Sequence, residues 1–181
     1  MRLDPGFVIR PLGPADAEEY QTLRLAGMVE SPEAFGSTYE EDAQLSLATV
    51  AQRLVVGSSG AERIVLGAYQ PLEDSAPGLV GIAGCIREVK LKSRHTANVW
   101  GMYVATGARC RGIGRALLHK MIAVARGWPG VERLSLSVVA GDSAAQALYR
   151  ALGFVSYGIE PDAYRQLGQS YSREYMGLRL R

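Results

Sequence analysis

The residue types best suited to chemistry fall in one stretch, Val104-Ala-Thr-Gly-Ala-Arg109-Cys110-Arg111-Gly112-Ile113-Gly114-Arg115. It joins a β-rich run to a helical pattern, so its last amides are the unpaired donors of a helix N-terminus and carry partial positive charge. Such an end binds anions. Gly112 and Gly114 remove side chains that would hold a pyrophosphate away from those amides, and Arg109, Arg111 and Arg115 add charge around it. Taken alone, the stretch also suits a glycine-rich connector with solvated arginines. Two nucleotide-binding patterns fail on spacing. An NTPase loop requires Gly-Lys-Ser or Gly-Lys-Thr, whereas Arg115 and Ala116 follow Gly114. A dinucleotide fingerprint requires Gly or Ala where the chain has Leu117, and parallel strands on both sides.

The elements that must position this stretch follow from periodicity. A strand is expected over 7–12 and a helix from Pro14 to about Glu30, with Ala17, Tyr20, Leu23, Ala26 and Gly27 on one face. Ser31-Pro32 ends it, because the residue before proline is pushed out of the helical region. A second helical stretch covers 41–54, and 57–60 reads as a turn. Strands follow at 64–69, 79–88 and 96–104, the first two separated by Pro71, Ser75, Pro77 and Gly78. After the glycine- and arginine-rich loop, a helix over 114–126 carries the apolar stripe Leu117, Leu118, Met121, Ile122 and Ala125, and Trp128-Pro129-Gly130 stops it. A strand over 133–140, a helix over 143–152, a strand ending near 160 and a last strand over 172–180 complete the order. The expectation is an α+β fold: a mixed, mostly antiparallel sheet of six to seven strands flanked by about four helices.

A second constellation follows the strand at 134–139: Asp142-Ser-Ala-Ala145-Gln146-Ala-Leu148-Tyr149-Arg-Ala-Leu-Gly153-Phe154. With the first stretch, it makes the chain resemble the Gcn5-related N-acetyltransferase superfamily. That family's acetyl-CoA motif, Gln/Arg-x-x-Gly-x-Gly/Ala, is matched by Arg109-Cys110-Arg111-Gly112-Ile113-Gly114. Its second motif, Asn-x-x-Ala-x-x-Leu-Tyr-x-x-x-Gly-Phe, is matched from position 142 to Phe154 except that Asp142 stands for Asn. The resemblance is strong over roughly 96–159. It implies acetyl-CoA as co-substrate and direct attack of a bound amine on the thioester, without metal or acyl-enzyme. It also implies that the strand ending at Met102-Tyr103-Val104 splays from the next strand, freeing main-chain groups for the pantetheine arm. An amide near Tyr103 or Val104 would hold the thioester oxygen. Tyr149 would protonate the leaving thiolate, and its place off the centre of the stripe Ala144, Ala147, Leu148, Ala151 and Leu152 suits that role better than plain packing. A carboxylate at Asp142 only accepts hydrogen bonds, so it suits helix capping at least as well as a CoA contact, and Ser143-x-x-Gln146 is itself a capping-box pattern.

The length of 181 residues fits a single domain, 1–181, and 48% hydrophobic with 21% charged residues excludes disorder. No apolar run approaches the roughly 20 residues of a membrane span, and the N-terminus lacks an export pattern, so a cytoplasmic protein without membrane association is expected. Cys85 and Cys110 are too isolated for a disulfide framework or zinc site. Arginines concentrated at one loop without interleaved aromatics argue against nucleic acid. Residues 1–60 carry four Arg and nine acids, a net of −5, against +7 for the rest. The resemblance implies that the helices after the first strand line the acceptor side, and since that region carries Glu30, Glu33, Glu40, Glu41 and Asp42, a cationic small-molecule amine is expected as acceptor. A lysine-like amine is neutral in only about one part in 2500 at pH 7, so a base is required, with Glu40, Glu41 and His95 as candidates. A protein N-terminal amine, as in ribosomal-protein acetyltransferases, and a catalytically silent CoA-binding sensor are the alternatives. The resemblance also allows a homodimer.

Overall fold

The computed structural model describes residues 6–55, 62–72, 75–166 and 168–180, so the turn expected at 57–60 lies outside the described residues. Seven strands form one sheet in the order β1-β2-β3-β4-β5-β7-β6. They are β1 (Val8–Pro11), β2 (Arg63–Leu72), β3 (Ser75–Arg87), β4 (Thr96–Val104), β5 (Arg133–Val139), β6 (Val155–Gln166) and β7 (Gln169–Arg179). Every neighbouring pair is antiparallel except β4 and β5. The helices are α1 (Ala17–Glu30), α2 (Tyr39–Ala43), α3 (Leu47–Leu54), α4 (Ile113–Gly127) and α5 (Ser143–Ala151). This is the expected α+β architecture, and no described helix is long and apolar enough to cross a membrane.

Two apolar layers hold the sheet. One packs Leu117, Leu118, Met121, Ile122 and Ala125 of α4 with Phe154 and Tyr149 against Leu66, Ala83, Val99, Leu134 and Met176. The other packs Tyr20, Leu23 and Met28 of α1 with Val50 and Leu54 of α3 against Val65, Ile82 and Tyr103. The first face runs across the sheet, whereas α1 and α3 reach only its β1–β4 half. On α1 the buried stripe includes Met28, while Ala26 is exposed. Gly27 lets α1 sit close to β4: a Cβ there would stand 2.9 Å from the rings of Phe35 and Tyr103.

Several boundaries differ from the sequence expectation for identifiable reasons. The stretch 41–54 breaks into α2 and α3, because both have their own N-cap. The Thr38 side chain accepts from Glu41 N–H while the Glu41 carboxylate accepts from Thr38 N–H, and the Ser46 side chain accepts from Thr49 N–H. Strand β6 runs through Pro161 to Gln166, which it can do as an edge strand with bulges between Ser156 and Gly158 and between Glu160 and Tyr164. On α5, Ala144, Ala147 and Ala151 are exposed and Tyr149 is buried, so the expected stripe is rotated and Tyr149 lies in its centre.

Candidate active site

Strands β4 and β5 pair only at Thr96–Asn98 with Arg133–Ser135. Both continue for several residues beyond, and there the two strands part. The register of β4 on β3 slips between Trp100 and Tyr103, where Gly101 takes a φ of +59°. That bulge inverts the alternation of the strand. Glu88 N–H donates to the Thr96 carbonyl and Ala105 N–H donates to the Val80 carbonyl, so Thr96 and Ala105 both face β3. With main-chain groups alternating along a strand, Met102 and Val104 must then turn theirs toward the gap. The Val104 carbonyl accepts from Arg109 Nε at 2.9 Å, which leaves the amides of Met102 and Val104 and the Met102 carbonyl there.

At the open end of the gap stands the N-terminus of α4. The first helix bond runs from Ala116 N–H to the Gly112 carbonyl, so the N–H groups of Ile113, Gly114 and Arg115 lack helical acceptors. Gly112 caps the helix with φ +82°, a conformation that most side chains resist, and a Cβ there would meet nothing within 4 Å. Open space in front of free amides is what a pyrophosphate requires. Gly114 has a different reason: a Cβ there would press on Met102 and Leu148 at 3.1 and 3.3 Å, so it lets α4 sit close to β4 and α5. Arg111 and Arg115 are exposed, with no carboxylate partner among the described residues. Arg109 departs from expectation, since its guanidinium pairs with Glu30 at 2.7 Å and lies over the Tyr103 ring. Cys110 is exposed in the same loop, at φ +62°.

Tyr149 directs its hydroxyl at Met102 Sδ, 3.7 Å away, and packs edge-on to Phe154. Burial pushes its phenol up to about 12, so it holds its proton at neutral pH. The other two α5 candidates are occupied. Asp142 accepts from Ala145 N–H at 3.1 Å as an N-cap, and Gln146 donates to the Glu174 carboxylate. Glu174, unnoticed in the sequence, is a buried β7 carboxylate that also receives Arg150 at 3.2 Å. Its sole signal was a charge inside an otherwise alternating strand.

The acids expected to form an acidic lobe are largely neutralised. Thr106 and Tyr103 hydroxyls both donate to Glu30, and together with Arg109 they hold its carboxyl below the usual range. Burial acts to raise Asp42, but the charge and hydrogen bond of Arg24, with Arg53 and Ser37, bring it below its ordinary value. Glu41 is spent on its cap. Only Glu33 and Glu40 of the five have no partner among the described residues. The base candidates fare unevenly: Glu41 is committed, Glu40 is exposed, and α2 packs on α1. His95 precedes β4 at the end remote from Met102–Val104, some 25 Å of strand away.

Comparison with known proteins agrees with this geometry. The profile of the acetyltransferase (GNAT) family matches residues 37–154. No curated protein is similar to the chain at a significant level. Among solved structures, a GNAT-family acetyltransferase of Streptococcus pneumoniae is 24% identical with a TM-score of 0.78, over 96% of this chain and 99% of its own. The yncA protein of Salmonella typhimurium, solved with its cofactor acetyl-CoA, is 20% identical with a TM-score of 0.77, over 97% and 94%. A ribosomal-protein-alanine N-acetyltransferase of Brucella melitensis is 24% identical with a TM-score of 0.73, over 95% and 99%. These three share the fold. With its family profile, its parted central strands and its open helix end, the chain belongs to the GNAT acetyltransferase family and is an acetyltransferase that uses acetyl-CoA.

Proposed function

We propose that the protein transfers the acetyl group to a primary amine of a small molecule by direct attack on the thioester. The observation that carries this reading is the Tyr149 hydroxyl at Met102, beside the free main-chain groups of the gap and where the first turn of α4 at Gly114 approaches Met102. Acetyl-CoA supplies an acetyl group already activated as a thioester. The amides of Ile113, Gly114 and Arg115, with the Arg111 and Arg115 side chains, hold pyrophosphate. The main chain of Met102 and Val104 pairs with the pantetheine arm, and an amide of that segment stabilises the charge that develops on the thioester oxygen. Tyr103 forms the wall on the acceptor side, tied to Glu30 at 2.6 Å. Tyr149 gives its proton to the departing sulfur. Asp142 and Gln146 act by fixing α5, and hence Tyr149, rather than by touching the co-substrate. Of the base candidates, Glu40 keeps a free carboxylate that can take the amine proton through water.

The acceptor side favours a small molecule over a protein N-terminus. The segment around Pro32–Ala34 packs against β5 and β6, and Gly36 lies against the Tyr164 hydroxyl, which narrows the approach. A silent sensor would have no use for a neutral phenol at the gap. The cationic acceptor expected from the charge of residues 1–60 loses its basis once Glu30, Glu41 and Asp42 are paired.

Tyr149→Phe tests the assignment. Phe keeps the packing on Phe154 and removes only the hydroxyl. The expected outcome is a turnover number lowered about tenfold with unchanged acetyl-CoA affinity, since the proton matters only as the thiolate leaves. The loss is modest because a thiol of pKa about 8.5 is already a tolerable leaving group. Turnover equal to the parent at saturating substrate would reduce Tyr149 to a packing residue. Mass spectrometry of products from acetyl-CoA and a mixed pool of amino acids, polyamines, aminoglycosides and N-terminal peptides identifies the acceptor class.

A further inference from the structure

The half of the sheet formed by β5, β7 and β6 has one face under α5 and one that, among the described residues, no α-helix covers and the Pro32–Ala34 segment touches. Glu174 points to α5, where it meets Gln146 and Arg150, so its neighbours Arg173 and Tyr175 point to the uncovered face. That face is the acceptor side, since Tyr103 of β4 projects the same way toward α1. Arg173 pairs in register with Val139, the last residue of β5. Val139 lies four residues beyond Ser135, and Tyr103 lies four positions beyond Asn98 once the bulge is allowed for, so Val139 and Tyr103 face each other across the gap. Arg173 therefore stands one strand spacing, about 5 Å, from the wall of the gap.

Its guanidinium is pre-organised and pairs with no carboxylate; its polar partner is the Tyr175 hydroxyl. It stacks on Tyr164 at 4.6 Å and Tyr175 at 5.7 Å from the ring centroids. Stacking occupies the faces of the guanidinium, and of its five in-plane N–H donors those not turned to the Tyr175 hydroxyl face a ligand. Among the described residues no carboxylate lies within ion-pair distance of Arg173. Its cross-strand partner Glu160 is farther from the gap, on the edge strand, and accepts from the Tyr175 hydroxyl. The other arginine stacked on this face, Arg133 over Tyr157, sits at the closed end where β4 and β5 pair. An unpaired, aromatic-clamped arginine at the mouth of the gap is suited to a planar or tetrahedral oxyanion.

We propose that the acceptor is a small amino compound carrying an oxyanion, a carboxylate or a phosphonate, a few bonds from its amine, and that Arg173 holds that oxyanion. This rests on the acetyl-transfer reading above. The test measures release of free CoA with α-amino acids, their α-amides, the matching aminoalkylphosphonates and spermidine. The anionic members are expected to exceed their amide twins at least tenfold in kcat/KM, with the carboxylate and phosphonate arms showing which oxyanion is preferred. Arg173→Gln should raise KM for the anionic member about 30-fold, while leaving the amide twin and the calorimetric Kd for acetyl-CoA unchanged. Arg173→Lys, which keeps charge without the fork, should recover part of the loss. CoA release that is equal for acid and amide, confined to spermidine, or indifferent to Arg173→Gln would overturn the oxyanion site and leave acetyl transfer standing. Failure of every amine to release CoA from an enzyme that binds acetyl-CoA would overturn both readings.

Discussion

Gly112→Asp is expected to weaken acetyl-CoA binding about 1000-fold or more, and Gly112→Asn about tenfold. Both residues enter the left-handed region more readily than other side chains, so the φ of +82° costs each on the order of 1–2 kcal/mol in folding and does not distinguish them. Both project into the open space before the Gly112 Cα. They differ in charge: a carboxylate about 5 Å from a pyrophosphate charge is repelled by roughly 3 kcal/mol at an effective dielectric of about 20. Since about 1.4 kcal/mol is tenfold in affinity, that repulsion accounts for the expected separation of the two variants. Titration calorimetry with acetyl-CoA measures it, and thermal unfolding confirms that both variants fold. Equal affinities for the two would mean that no anion lies before this helix end. Gly114 is the poorer position for the test, because a side chain there collides with Met102 and Leu148 and confounds packing with charge.

Asp42→Ala should cost about 3 kcal/mol of stability. The Asp42 carboxylate is buried and receives Arg24 at 2.7 Å, Arg53 at 3.2 Å and the Ser37 hydroxyl at 3.1 Å. Removing it leaves the buried Arg24 guanidinium uncompensated, and breaking a buried pair on one side is the costly way to lose it. Replacing both partners, as in Asp42→Ala with Arg24→Met, should recover most of the loss, because no buried charge is left alone. Urea unfolding reads both values; a double variant as unstable as the single one would place the cost in packing. The pH dependence follows the same pair. The folded-state carboxyl titrates below its unfolded value, so its contribution is complete above the unfolded pKa of about 3.9 and is lost as pH falls through the lower folded value. The lesion also reaches the acceptor side, because the cluster pins α2 and Ser37 to α1.

The open helix end with its unpaired amides was legible in the sequence because all its determinants are local. A strand, two glycines and a helix within about a dozen residues leave the same amides unpaired in any tertiary setting. The α4 stripe was legible for a similar reason, since a strong 3.6-residue period fixes one face and every member of the expected stripe is buried. Asp142 as a cap was likewise open to inference, because capping needs only the three residues that follow.

What a side chain meets across the sheet was not local. The charge of residues 1–60 counted correctly as −5, yet its acids face arginines that arrive from α1, α3 and the loop before α4, so the count did not amount to an acidic surface. The Tyr149 stripe was rotated because the partners that draw Tyr149 inward, Phe154 and Met102, come from beyond α5 and from β4, which the period of α5 alone does not show. Arg173 gave no signal in the sequence, where it is one charge in an alternating strand. Its place at the gap depends on the β4 bulge, the limited β4–β5 pairing and the β5–β7 register, and strand register joins residues that the chain separates by tens of positions. Short-range sterics and hydrogen bonding determined the open end of α4, while long-range strand pairing alone decided what lies across the β4–β5 gap.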